Sequence, residues 1–146
     1  MGKTGRDGVA EAFDEVMRLV MRHLTEHGGL TATAVMCLGT LERDGPARLK
    51  ALGAAEGVSQ PSMSQLVQRL ERQGLVARIR DPEDGRASLI EITDAGRGLV
   101  ADRLRDRHDR LAELLARLSP EDDASLRLAM HVAGPIVRRL IEGATP

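Results

Sequence analysis

Gly74 marks a change of hydrophobic period, and that change limits what this chain can fold into. Before it, Met63, Leu66, Val67 and Leu70 recur at i, i+3, i+4 and i+7, the stripe of an amphipathic helix. After it, residues 75–80 and 88–92 are short runs with β-branched content. Between them lies Asp81-Pro82-Glu83-Asp84-Gly85-Arg86, made almost wholly of turn formers, so the pair reads as a β-hairpin with a long polar tip. The helix has its own start signals. Ser59 can cap it, and Pro61 suits its first turn, where a missing N–H costs nothing. Ahead of it, Glu56-Gly57-Val58 is a tight connection, and a short helix over about 47–54 carries Leu49 and Leu52. Helix, tight turn, helix and hairpin in that order make a winged helix-turn-helix.

The flanks are helical. Residues 1–8 mix charge with glycine and read as a disordered tail. Val9, Phe13, Val16, Met17, Val20 and Leu24 mark a helix over 9–27. A second helix, over about 31–43, turns Ala34, Val35, Leu38 and Leu41 inward before Asp44-Gly45-Pro46 stops it. Thr93 caps a long helix to about residue 118, and Ser119-Pro120 starts a last one to about 142. The expected fold class is therefore mainly α with a small β-hairpin wing. A single domain over 9–146 contains the winged helix-turn-helix at 31–93. Leu99, Val100, Leu104, Leu111, Leu115 and Leu118, with Leu126, Met130, Ile136, Val137, Leu140 and Ile141, are more apolar positions than one thin module can cover. The helices at 9–27 and 94–142 are thus expected to dimerise with a second copy.

Composition narrows the function. The 146 residues include no Trp, no Tyr and one Phe, which argues against reading single strands by stacking bases on aromatic rings. One cysteine, Cys37, makes neither an internal disulfide nor a cysteine-based zinc site. No apolar run spans a bilayer, and the N-terminus lacks a signal-peptide core, so a cytoplasmic protein without a membrane partner is expected. No nucleophile–base–orienter set and no Gly-rich phosphate loop is readable, which argues against an enzyme and gives no reason to expect a cofactor.

The net charge of −1 leaves any nucleic-acid surface to local clustering. Residues 59–80 hold Arg69, Arg72, Arg78 and Arg80 against Glu71 alone, a local excess of +3. On a helical wheel the face opposite the apolar stripe carries Pro61, Gln65, Gln68 and Arg72, flanked by Ser62, Ser64 and Arg69. Gln pairs bidentately with adenine, Ser serves either base edge, and Arg suits guanine or phosphate. Arg78 and Arg80 on the following strand are expected to hold backbone phosphates. Arg86 at the hairpin tip can enter a narrow minor groove, with Asp84 orienting its guanidinium. Each feature alone also fits a solvated surface; together they favour a reader of double-stranded DNA.

Three stretches, "GVSQPSMSQLVQRLERQGLVAR", "DPEDGRA" and "ITDAGR", resemble the MarR (multiple antibiotic resistance regulator) family of bacterial transcription factors. Asp84-Gly85-Arg86 matches that family's Asp-x-Arg wing signature. The resemblance implies a homodimer held by the first, fifth and sixth helices and a pseudo-palindromic operator. It also implies a repressor that responds to a small, often phenolic or anionic, effector. Cys37 raises oxidant sensing as an alternative, although an isolated cysteine is commonly a small buried hydrophobe. His23 and His27, at i and i+4, raise metal binding, although two histidines at a helix end are more often surface groups. A small-molecule sensor whose output is not DNA binding, or a protein-interaction module on the same fold, completes the alternatives.

Overall fold

The computed structural model describes residues 3–24 and 29–143. The chain divides into two compact units, one formed by residues 27–104 and the other by residues 1–26 with 105–146.

The central unit closes around its own core. Helix α2 (Ala32–Asp44) is capped by Thr31, whose side chain accepts the N–H of Ala34 at 3.2 Å. Strand β1 (Ala47–Arg48) leads into α3 (Leu49–Ala55) and then α4 (Gln60–Arg72). Strands β2 (Val76–Arg80) and β3 (Ser88–Ile92) complete a three-stranded antiparallel sheet in the order β1-β3-β2. Cys37, Leu38 and Leu41 of α2, Leu52 of α3, and Met63, Leu66, Val67 and Leu70 of α4 pack against Val76, Ile90 and Ile92 of the sheet. The apolar stripe read on α4 is this core.

Strand β1 is a correction, because the residues from 47 were expected to be helical. Gly45 takes a positive φ of 86°, and Pro46 cannot continue a helix from α2. Ala47 and Arg48 then pair with Ile90 and Leu89 before α3 begins. Two residues carry no detectable period, so only the partner strand reveals them.

The tight turn before α4 is built on Gly57, with φ of 63°. Just past the end of α4, Gly74 takes a φ of 72° and the N–H of Leu75 reaches back to the Leu70 carbonyl at 2.9 Å. Thr93 clasps this end. Its hydroxyl donates to the Gly74 carbonyl at 2.6 Å and accepts the N–H of Gly96 at 3.1 Å. Gly96, in the first turn of α5 (Asp94–Leu115), lies so close to the start of β2 that an added Cβ would overlap the Leu75 carbonyl oxygen.

The terminal unit is helical: α1 (Lys3–Leu19), a π turn (Val20–Leu24), the later part of α5, and α6 (Pro120–Gly143). The first helix includes residues 3–8, which were expected to belong to a tail over 1–8; residues 1–2 lie outside the described residues. Adding turns to an established helix is far easier than nucleating one, so two glycines do not stop it. Val9, Phe13, Val16 and Met17 are exposed, as are Leu126, Met130, Ile136, Leu140 and Ile141, and α6 buries none of its residues.

Candidate nucleic-acid interface

Helix α4 presents its polar face outward. Ser59 starts it by accepting the N–H of Ser62 at 3.3 Å, and the Ser59 hydroxyl donates to the Ser62 hydroxyl at 2.9 Å. Pro61, Ser62, Gln65, Gln68, Arg69 and Arg72 are exposed, whereas Ser64 is half-buried. The side chain of Arg72 folds back along its own helix, with Nε donating to the Gln68 carbonyl at 3.3 Å. A shallow groove beside this face is lined by Thr31 and Thr33, at the start of α2, and by Ser62, Gln65 and Arg69 of α4.

Arg78 and Arg80 follow Val76 at every second position of β2, so they share the sheet face that packs on α4. The contact is direct: Arg78 Nε donates to Glu71 Oε2 at 3.3 Å. Glu71 is the one carboxylate of the basic stretch, and Arg78 partly neutralises it. Among the described residues, Arg69, Arg80 and Arg86 make no ion pair, and all three are exposed.

The wing tip differs from expectation in one respect. Asp84 does not orient the Arg86 guanidinium. Its Oδ1 accepts the backbone N–H of Arg86 at 3.1 Å, while the Asp84 carbonyl accepts the N–H of Ala87 at 2.9 Å. A short side chain two residues from an amide closes this turn more readily than it reaches the end of a long flexible arginine. Asp84 therefore shapes the loop, on which Arg86 is exposed.

The wing root holds a pair that sequence reasoning missed. Asp81 is buried, at 4% exposure. Its Oδ1 accepts the N–H of Glu83 at 2.9 Å. Its Oδ2 accepts both Nε and Nη2 of Arg48, at 2.9 and 2.6 Å. The Glu83 amide and then the Arg48 guanidinium hold the Asp81 carboxyl below the usual carboxylate range, and Asp81 raises Arg48 in return. Two aspartates three apart in one turn were the available signal, since a carboxylate folded under a loop needs donors.

The other candidates contribute little to this surface. Cys37 is fully buried in the core, and burial, with the charge of Glu56 added, pushes its thiol up to about 11. His23 lies in the π turn, and His27 is outside the described residues. Among the described residues, no group of three or more His, Cys, Asp and Glu is placed to hold a metal ion. No described helix is long and apolar enough to cross a membrane.

Known proteins resemble this arrangement. Residues 28–87 match the MarR family. An HTH-type transcriptional regulator of Mycobacterium bovis is 34% identical over 116 residues, which cover 78% of this chain and 81% of its own length. The HTH-type transcriptional regulator YkoM of Bacillus subtilis is 29% identical over 126 residues, 86% of this chain and 80% of its own. The crystal structure of a transcriptional regulator of Pseudomonas aeruginosa has a TM-score of 0.75 at 24% identity, covering 96% of this chain and 97% of that one, and so shares its fold. The chain belongs to the MarR family of helix-turn-helix transcriptional regulators, DNA-binding proteins rather than enzymes.

Proposed function

We propose that the protein works in the cytoplasm as a homodimeric, effector-responsive repressor of a pseudo-palindromic operator. Helix α4 enters the major groove. Ser62, Gln65, Gln68 and Arg69 meet base edges or nearby phosphates, with Ser64 and Pro61 packing close to them. Arg72, Arg78 and Arg80 hold backbone phosphates. Arg86, carried on the turn that Asp84 closes, probes the minor groove. The observation that supports this reading is the exposed, carboxylate-poor face of α4 together with Arg78, which pairs with Glu71 of the same helix. The exposed apolar faces of α1 and α6 support a second copy as the partner. An open depression of about 250 Å³, lined by Leu30, Leu75, Leu99, Gln73 and Arg103, is where we place a compact anionic or phenolic effector, with apolar side chains for a ring and an arginine for its charge.

The test uses a duplex selected by the full-length protein from a random pool. Arg86→Ala is expected to weaken binding severalfold to a hundredfold, a loss of about 1–3 kcal/mol. Gln65→Ala is expected to relax base preference more than it lowers non-specific affinity. Unchanged operator affinity for Arg86→Ala would overturn the minor-groove role. A uniform loss across all sequences for Gln65→Ala would reassign that residue to the backbone.

A further inference from the structure

The wing carries a charge problem. Residues 81–86 hold Asp81, Glu83 and Asp84 against Arg86 alone, a loop of net negative charge on the element proposed to approach phosphates. The counter-charge comes from Arg48, in the two-residue strand β1: its Nη2 is 2.6 Å from Asp81 Oδ2 and 4.0 Å from Asp84 Oδ2. The same residue organises the loop's backbone. One oxygen of Asp81 is held by two guanidinium donors, which leaves the other to accept the Glu83 amide. The Asp81 N–H then bonds the Ala87 carbonyl at 3.1 Å and closes the base of the loop.

We infer that Arg48 is a positioning residue for DNA binding: through buried Asp81 it fixes the wing loop in the shape that presents Arg86. Arg48 need not touch DNA to do this. The two donors converging on one carboxylate oxygen need the planar fork of a guanidinium; a lysine would supply the charge but not the paired donors. The inference rests on the proposed wing role of Arg86, so the experiment separates the two.

Binding to the pool-selected duplex is titrated for Arg48→Lys, Asp81→Asn, Arg86→Ala and the double variant Arg48→Lys/Arg86→Ala. Chemical footprinting of both grooves runs in parallel. Removing the negative charge of Asp81 would, by simple electrostatics, tighten DNA binding; positioning requires the opposite. Arg48→Lys and Asp81→Asn are each expected to weaken binding about tenfold, within the range for loss of one specific contact. Both are expected to lose minor-groove protection while keeping protection of the major groove. That retained protection also shows that the helix-turn-helix is folded. In the Arg86→Ala background, Arg48→Lys is expected to cost nothing more. Wild-type or tighter binding by Asp81→Asn overturns the inference, as does full rescue by lysine. An additive double variant overturns it too, by making Arg48 a direct phosphate contact. If Arg86→Ala alone binds normally, the wing reading itself fails and Arg48 has nothing to position.

Discussion

The two units of this chain place their apolar side chains in opposite ways. In the central unit, the core residues of α2, α3, α4 and the sheet are almost completely buried. In the terminal unit, α6 buries none, although Leu126, Met130, Ile136, Leu140 and Ile141 line it. Hydrophobic content therefore does not say where a core is. One unit closes its core with its own chain. The other leaves a broad apolar surface exposed, and in the proposed homodimer its stability would be tied to protein concentration.

The largest effect should come from the closed core. Leu70→Ala removes a fully buried side chain and is expected to lower stability by about 2–5 kcal/mol in denaturant unfolding. The matching test on α6 uses Ile136 and Leu140, which are 46% and 61% exposed in one copy. Ile136→Asp with Leu140→Asp places two charges on that uncovered face. The pair is expected to convert a dimer to monomers in sedimentation and to weaken operator binding about a hundredfold, while the helix-turn-helix stays folded. A variant that remains dimeric would break the contrast between the units.

A smaller effect separates a buried thiol from a sensing one. The folded protein favours the neutral form of Cys37, whose pKa is raised from 9.0 to about 11. Stability contributed by that preference is present at neutral pH and is lost as pH rises from about 9 through 11. Alkylation of native protein at neutral pH is expected to be slow and to become fast only with unfolding. Rapid alkylation of native protein would reopen the oxidant-sensing alternative. At the acid end the sign reverses for Asp81. Its carboxyl is held low, so its contribution is present above the ordinary aspartate range and is lost as pH falls below it. Asp81→Asn should flatten that acid limb of the stability profile.

Much of the fold was legible because it rests on local rules. The i, i+3, i+4, i+7 stripe of α4, the caps at Ser59 and Thr93, and the glycines at 57 and 74 each act within a few residues of sequence. The polar face of α4 followed from the same geometry. Strand β1 was not legible, because Ala47 and Arg48 become a strand only by pairing with β3, which comes much later in the chain. The role of Asp84 was misread for a related reason: its backbone partner was closer than the side chain it was expected to orient.

By itself the sequence determined the order of the helices and the hairpin, the polar face of α4 and the basic excess in residues 59–80, since periodicity, capping and charge are properties of neighbouring residues. Only the tertiary structure decided that Arg48 and Asp81 meet across 33 positions, that Cys37 is sealed in the core, and that α6 remains uncovered. Those outcomes depend on distances between residues far apart in the chain, which no local pattern encodes.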